Sequence, residues 1–136
     1  MSIVAEIKNK IQKETKFLNE LGYEESEDEY AINYSLNNYL ISISFPPNSE
    51  ESDVSIRFLD SNQVFSIGWI ALVRNNMEGK NEKVENAIEL IKYVKANYDR
   101  VTQYQYCLQS NILIDEYVEQ HRAQFEKSVA DFLENS

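Results

Sequence analysis

The stretch from Gln63 to Arg74, QVFSIGWIALVR, constrains the fold more than any other part of the chain. It is the longest apolar run, and it contains the only tryptophan, Trp69. When its residues are taken alternately, both faces of the stretch are apolar. A strand of this sequence must be covered on both sides or lie at the centre of its sheet, because exposing either face would leave a large apolar patch in water. The stretch therefore predicts a buried strand that the other elements cover.

Residues 2–21 predict an amphipathic helix. Lysines take one face, and apolar residues recur on the other at helical spacing, namely Ile3, Ile7, Ile11, Leu18 and Leu21. Gly22 is suited to end this helix, because it accepts the left-handed backbone conformation without a Cβ clash. The acidic run from Glu24 to Glu29 that follows is expected to be a loop.

An alternating pattern predicts a β-hairpin between Tyr30 and Phe45. Apolar residues alternate with small or polar ones on both sides of Asn37-Asn38, a dipeptide that tolerates positive φ in a tight turn. Pro46-Pro47 should end the second strand, since a prolyl nitrogen cannot donate a hydrogen bond to the ladder. The hairpin is therefore expected to have one apolar face and one small or polar face.

A third strand is predicted from Val54 to Leu59, and a turn at Asp60-Ser61-Asn62 leads from it into the central run. Arg57 is the only basic residue between residues 23 and 63, and it is expected to form an ion pair on the outer face of the sheet. Because short connections join all four strands, an antiparallel meander is the simplest topology.

Two helices are predicted after the sheet. Asn81 is expected to cap the first, since apolar positions at helical spacing follow it. Ser110 is expected to cap the second, which would run to about Leu133. The buried stripe of this last helix would consist of Ile114, Val118, His121, Phe125, Val129 and Phe132. The pattern leaves open whether residues 103–109 form a short strand or an irregular link.

The order of one helix, four strands and two helices predicts a single α+β domain over residues 1–136. We expect the N-terminal helix and the two C-terminal helices to pack mainly on one face of a four-stranded antiparallel meander. A chain of this length buries a sufficient core without a disulfide or a metal ion. The one cysteine, Cys107, cannot form an internal disulfide, which is typical of a reducing compartment. There is neither a secretory signal pattern nor an apolar run of ~20 residues, so the chain is expected to be cytoplasmic and outside the membrane.

The charge of the chain is strongly acidic and unevenly distributed. The net charge is −10, and residues 23–63 hold nine acidic residues against one basic residue. Such a surface repels phosphate backbones, so direct nucleic-acid binding is not expected, whereas a basic protein would be attracted to it. A surface that only keeps the protein in solution is the alternative explanation of the same charge.

Tyrosine is the second unusual feature of the composition, with nine residues of this type. At a protein-binding surface, tyrosines supply anchors and acidic residues steer a basic partner. The candidate partner-binding residues are therefore acids and tyrosines from the first half of the chain, namely Tyr23, Glu24, Glu25, Glu27, Asp28, Glu29, Tyr30, Tyr39, Glu50, Glu51 and Asp53. Tyrosine also has a high propensity for strands, so a purely structural explanation of these tyrosines stays open.

The chain lacks the motifs of familiar catalytic and metal sites. Nucleophilic catalysis needs a histidine beside the nucleophile, and the one histidine, His121, falls on the predicted apolar stripe. One histidine and one cysteine cannot form a zinc set, and neither a calcium loop nor a Gly-rich phosphate loop is present. We therefore expect no catalytic residue, no metal, no cofactor and no enzymatic activity. A deep pocket with a strongly perturbed carboxyl group would indicate an enzyme instead.

Four stretches resemble a family of small cytosolic proteins from Firmicutes: FPPNSEESDVSIRFLD, FSIGWIALVR, ENAIELIKYVKANYD and, above all, IDEYVEQHRAQFEKSV. That family is associated with the immunity proteins, or antitoxins, of LXG-type polymorphic toxins, and the resemblance extends from about Ile3 to Val129. It implies a protein that binds the basic toxic domain of a cognate toxin, often a nuclease, and covers its active site. The alternative is an acidic secretion-type chaperone that binds an export substrate in an apolar groove. The sequence leaves the oligomeric state open between monomer and homodimer.

Overall fold

A computed structural model describes residues 3–45, 52–80 and 86–134 of the chain. The elements in these ranges are α1 (Ile3–Glu14), α2 (Lys16–Glu20), β1 (Glu24–Asp28), β2 (Ala31–Leu36), β3 (Tyr39–Ser44), β4 (Asp53–Phe58), β5 (Gln63–Ser66), α3 (Ile67–Met77), α4 (Ala87–Ala96), α5 (Tyr98–Val101) and α6 (Tyr104–Glu134). The strands form one antiparallel sheet in the order β1-β2-β3-β4-β5. The predicted α+β class and antiparallel sheet are confirmed. The predicted numbers are wrong, since these ranges contain five strands and six helices.

One face of the sheet is apolar and buried, and the other is polar. The buried residues alternate along the strands, as a half-covered sheet requires, and they are Ile32, Tyr34, Ile41, Ile43, Val54, Ile56, Phe58 and Phe65. Helices α1, α3 and α4 add Ile11, Ile70 and Leu90 to the same core. The opposite face carries a polar row with one residue from each strand, namely Ser26, Asn33, Ser42, Ser55 and Ser66.

The predicted central strand is wrong for most of its length. Only Gln63–Ser66 is a strand, and it lies at an edge of the sheet rather than at its centre. The chain then enters α3, where the Ser66 hydroxyl accepts a hydrogen bond from the Trp69 N–H at 3.3 Å. The Asp53 carboxylate accepts another from the Gly68 N–H at 3.3 Å. These bonds satisfy amides that the first turn of a helix leaves free, so polar groups around Ser66 decide where the strand ends.

The apolar run is therefore buried at helical rather than alternating positions. Ile67, Ile70 and Ala71 are buried, whereas Trp69 and Leu72 are more than two-fifths exposed. A run that is apolar in every position satisfies both periods, so periodicity could not separate a strand from a helix here.

The acidic run is a strand, and the predicted loop is wrong. Strand β1 pairs with β2 in a regular antiparallel register from Glu24 opposite Ser35 to Asp28 opposite Ala31. All five of its side chains are exposed. Pairing with the hairpin satisfies the backbone on one side, and exposure keeps the carboxylates in water, so an acidic edge strand has no need of an apolar face.

The predicted turns of the first half are confirmed. Gly22, Asn37 and Asn62 have positive φ angles of 101°, 50° and 57°, and each lies where the sequence predicts a chain reversal or helix end. The first helical region is divided at Thr15, whose hydroxyl contacts the Ile11 carbonyl oxygen at 3.0 Å and the Tyr34 hydroxyl at 2.6 Å. The predicted strand end at Pro46-Pro47 lies outside the described residues.

The helices of the second half differ from the prediction in their bounds. Asn86 caps α4 by accepting a hydrogen bond from the Glu89 N–H at 2.9 Å, and the predicted cap Asn81 lies outside the described residues. Residues 104–109 belong to α6, so the segment is neither a strand nor a link. Ser110 is wrong as a cap, since it lies inside α6 and its hydroxyl donates to the Tyr106 carbonyl oxygen at 2.7 Å.

Helix α6 has 31 residues, and its buried residues among the described side chains, Cys107 and Ser110, lie in its first part. Arg74 near the end of α3 donates to the Ser110 hydroxyl, while Trp69 near the start of α3 contacts Tyr117 with ring centroids 6.4 Å apart. The two helices therefore run antiparallel, and α6 continues past the start of α3. The predicted buried stripe is wrong at Val118 and His121, which are exposed. Ile114 is partly buried against the core, and the side chains of Phe125, Val129 and Phe132 lie outside the described ones.

Candidate protein-binding surface

The structure brings together six of the predicted partner-binding residues at one edge of the sheet. Strand β1 contributes Glu24, Glu25, Glu27 and Asp28, and the turn to β2 contributes Glu29 and Tyr30. All six side chains are exposed. We call residues 24–30 the acidic edge. It joins five carboxylates and one aromatic ring in a continuous segment, which is an arrangement that attracts a basic surface.

Two carboxylates of the acidic edge are fixed on the helix side of the sheet. The Gln12 amide nitrogen donates to a Glu27 oxygen at 2.7 Å and to a Glu25 oxygen at 3.2 Å. The Lys8 Nζ, also on α1, lies 3.6 Å from a Glu27 carboxylate oxygen. Burial raises the pKa of the Tyr34 hydroxyl, and the neighbouring Glu25 and Glu27 carboxylates add to the rise. Helix α1 therefore holds this inner pair of acids in place without neutralising both charges.

The other side chains of β1 face the open, polar side of the sheet. The Asn33 amide nitrogen donates to the Asp28 carboxylate at 3.0 Å, and the Asn33 oxygen accepts from the Ser42 hydroxyl at 2.7 Å. Glu24 and Ser26 share this side, because side chains alternate along a strand. The acidic edge thus presents carboxylates on both faces of the sheet.

The turn residue Tyr30 is the aromatic member of the acidic edge. Its side chain is 37% exposed. A hydrogen bond to the Glu29 side chain and the negative charge of Glu29 raise the pKa of the Tyr30 hydroxyl. The ring therefore stands beside the carboxylates as a neutral, solvent-exposed anchor.

Three other predicted residues have structural roles. Tyr23 is only 4% exposed, and its hydroxyl lies 2.7 Å from that of Tyr98, so burial raises the pKa of Tyr23. Tyr39 packs edge to face on Phe58, with ring centroids 5.6 Å apart. Asp53 accepts hydrogen bonds from the Ser66 hydroxyl and from the first turn of α3. The last two predicted residues, Glu50 and Glu51, lie outside the described residues.

The structure also shows an exposed aromatic cluster that the sequence pattern did not reveal. Trp69 contacts the ring of Tyr117, which stacks on the His121 ring at a centroid distance of 4.1 Å. Leu72 on α3 and Val118 on α6 are also exposed. The apolar run predicts a buried strand that includes Trp69, so the sequence pattern does not indicate this cluster. Ser66 as the cap of a helix is the sequence signal that would have indicated it.

The described residues include neither a cluster of metal ligands nor a reactive cysteine. No three His, Cys, Asp or Glu side chains among them gather as metal ligands. Burial raises the pKa of the Cys107 thiol to about 12, although Arg74 acts in the opposite direction, so at neutral pH the thiol stays protonated. Within these same residues, no helix has the length and apolar character needed to cross a membrane.

No protein-family model, no curated protein and no solved structure matches the chain. The resemblance to immunity proteins therefore stays a prediction. The acidic edge is a separate observation, and it combines five exposed carboxylates, one exposed tyrosine and a strand with one described neighbour.

Proposed function

We propose that the chain is an immunity protein that binds and neutralises the basic toxic domain of a cognate polymorphic toxin through the acidic edge. The observation that carries this proposal is the exposure of every side chain of β1, four of which are acidic. A nuclease domain is basic where it holds phosphate, so the acidic edge imitates the negative charge of the nucleic-acid substrate. The protein would act in the cytoplasm by covering an active site, without making or breaking a covalent bond.

We restrict the proposed contact residues to those that are exposed on the acidic edge. Tyr23 is buried, and Tyr39 and Asp53 are engaged inside the fold. The proposed contact residues are therefore Glu24, Glu25, Glu27, Asp28, Glu29 and Tyr30. Since these carboxylates are exposed, their attraction for a basic domain is long-ranged and is weakened by salt.

The decisive experiment uses the reading frame next to this gene, which we expect to encode a toxin with an LXG-like N-terminal region. Expression of its C-terminal domain should arrest growth, and co-expression of this chain should restore it. The double variant Glu24→Lys, Asp28→Lys should lose this protection, because it reverses two exposed charges on the acidic edge. A matched control, Asp115→Lys with Glu116→Lys, makes the same charge change at exposed positions on α6 and should protect like the wild type.

Two results would contradict the proposal. If the wild-type chain fails to restore growth, or if no such toxin is encoded beside it, the chain is not an immunity protein. If the two double variants protect equally well, the acidic edge is not the contact surface. Circular dichroism of both variants confirms beforehand that each is folded.

The exposed aromatic cluster favours a second candidate, a chaperone that binds an export substrate through an apolar surface. Trp69 is 43% exposed and Leu72 is 44% exposed, and exposed apolar residues of this kind often mark a site of interaction. Apolar binding persists in high salt, whereas binding through the acidic edge is screened. Pull-down of the adjacent gene product at low and high salt therefore separates the two candidates, and the Trp69→Ala variant tests the cluster directly.

A further inference from the structure

The outer side of β1 carries backbone groups that no other described strand pairs with. Strand β1 is the first in the sheet, and β2 is its only described neighbour. The Phe45 N–H donates to the Tyr30 carbonyl oxygen at 2.9 Å, so Tyr30 directs its backbone towards β3. Backbone groups alternate in direction along a strand, so Ala31, Asn33 and Ser35 direct theirs towards β1.

This alternation identifies the free groups of the acidic edge. The β1 residues opposite Ala31, Asn33 and Ser35 are Asp28, Ser26 and Glu24, which therefore pair with β2. The residues between them, Glu25 and Glu27, direct their N–H and C=O groups outward. These are the two positions at which a further strand would form its hydrogen bonds.

The edge is also regular enough to accept a strand. Its register with β2 is one residue to one over five pairs, with no bulge, and the segment EESED contains no proline. Natural sheets block their edges with bulges, prolines, charges or a covering element. Of these devices, the described residues give β1 only charge, and all of it is negative.

We propose that the acidic edge receives an extended, basic segment of the partner protein as an added strand, paired with the backbone of Glu25 and Glu27. This inference rests on the proposed function and specifies its binding mode. Strand addition supplies main-chain hydrogen bonds, while alternate side chains supply specificity. Lysine or arginine at alternate positions of the added strand would face the inner carboxylates Glu25 and Glu27, which Gln12 already contacts.

Charge selects a basic segment over a second copy of the chain. An antiparallel pair of β1 strands would place Glu25 opposite Glu27 and Glu24 opposite Asp28. Like charges directly opposite each other destabilise a strand pair, while opposite charges stabilise it. The same carboxylates that prevent self-association therefore favour a lysine- or arginine-bearing strand.

Contacts from α1 prepare the edge for this addition. Gln12 bridges the Glu25 and Glu27 carboxylates from the helix side, so the two side chains are already ordered before a partner binds. Ordering before binding reduces the entropy lost on association. The strand itself is held by the hydrogen bonds to β2 and needs no rearrangement.

The first test uses a synthetic peptide of alternating lysine and valine and the wild-type chain at low salt. Two further peptides carry N-methyl groups either on every lysine amide or on every valine amide, which leaves the charge unchanged. Only alternate amides of an added strand face β1, so one methylated peptide should bind at least about tenfold more weakly than the other, a loss of the size expected for removing main-chain hydrogen bonds.

Hydrogen exchange of the protein gives a second measurement on the same complex. The Glu25 and Glu27 amides should become protected from exchange when the unmethylated peptide binds. The Glu24, Ser26 and Asp28 amides should already be protected in the free protein, because they pair with β2.

The second test uses the protein itself and compares Glu27→Pro with Glu27→Gln. Both substitutions remove the same charge, but proline also removes an outward N–H and is tolerated at an edge position whose N–H faces solvent. Glu27→Pro should bind the unmethylated peptide several-fold more weakly than Glu27→Gln. Glu25→Pro and Glu25→Gln repeat the comparison at the other outward position, in case one proline variant fails to fold.

The outcomes separate this inference from the proposed function. If the peptide does not bind, or if both methylated peptides bind equally and the Glu25 and Glu27 amides stay unprotected, strand addition is wrong. The chain would then still be an immunity protein if it restores growth in the toxin assay. If it does not restore growth, the proposed function fails whatever the peptide does.

Discussion

The two edges of the sheet are built in opposite ways. At β5, Phe65 is 2% exposed and packs edge to face on Phe58 and Tyr104, and Ser66 leads directly into α3. At β1, every side chain is exposed and the strand is joined to the body by its ladder with β2 and by contacts from α1. The β5 edge contributes a side chain, Phe65, to the core, whereas the β1 edge contributes none.

This difference indicates that the β5 edge contributes to the stability of the fold and that the β1 edge is available for binding. At the β5 edge, Phe65 is constrained by packing, since its buried ring fills space between the sheet and the helices. Residues at the β1 edge are constrained only by exposure and by the backbone ladder, so their charge is free to suit a partner. We therefore expect substitutions at β5 to change the free energy of unfolding, and substitutions at β1 to change binding.

The largest effect should come from Phe65→Ala. Removing a buried phenylalanine costs about 3–5 kcal/mol of unfolding free energy, because apolar contacts are lost and a cavity remains. The matched substitution at the other edge, Ser26→Ala, should change stability by no more than about 0.5 kcal/mol, since the side chain is exposed. Urea unfolding followed by circular dichroism measures both. Equal losses at the two positions would remove the distinction between the edges.

The sequence predicts the local features of the sheet well, because turn chemistry is local. Asn37 and Asn62 mark their turns by tolerating positive φ, and the alternation from Tyr30 to Phe45 correctly predicts a hairpin with one buried face. These signals depend on neighbouring residues alone. They are therefore readable without knowledge of the rest of the fold.

The two edges were predicted least well, because their structure depends on distant residues. Strand β1 forms because its backbone pairs with β2. The acidic composition of residues 24–28 does not indicate this pairing. The change from β5 to α3 depends on Asp53, thirteen residues before Ser66 in the chain. In both cases a hydrogen-bonding partner from another strand overrides the local pattern.

Charge predicts the exposure of the candidate residues better than aromatic content does. A run of acidic side chains must face water, so the acids of residues 24–29 were readily identified as surface residues. A tyrosine is compatible with both environments. Tyr23 is buried because its hydroxyl finds that of Tyr98, a partner 75 residues away that no local pattern shows.

An intermediate effect is expected at Asp53, which the charge pattern of the sequence groups with the acids of β1. Asp53→Ala removes the acceptor of hydrogen bonds from the Val54 and Gly68 amides and from the Ser66 hydroxyl. Loss of a helix-capping acceptor costs about 0.5–2 kcal/mol, so the urea midpoint should fall. Asp28→Ala removes an equal charge from β1 and should leave the midpoint nearly unchanged while weakening binding of the lysine-valine peptide. The opposite assignment of effects would place the binding surface around Asp53 instead.

A small change in stability is expected for Lys8→Met, which tests whether α1 stabilises the acidic edge or only contacts it. The Lys8 to Glu27 distance of 3.6 Å describes a partly exposed ion pair, and such pairs contribute at most about 1 kcal/mol. The substitution also removes a cation that competes with a basic partner for Glu27, so the lysine-valine peptide should bind more tightly at low salt. Lys13→Met is the control, because it removes the same charge from an exposed position on α1.

Two results would contradict this expectation. If both variants bind the peptide more tightly to the same degree, net charge alone attracts the peptide. A loss of several kcal/mol in Lys8→Met would show that β1 depends on this ion pair, and that the two edges are less different than their exposure indicates.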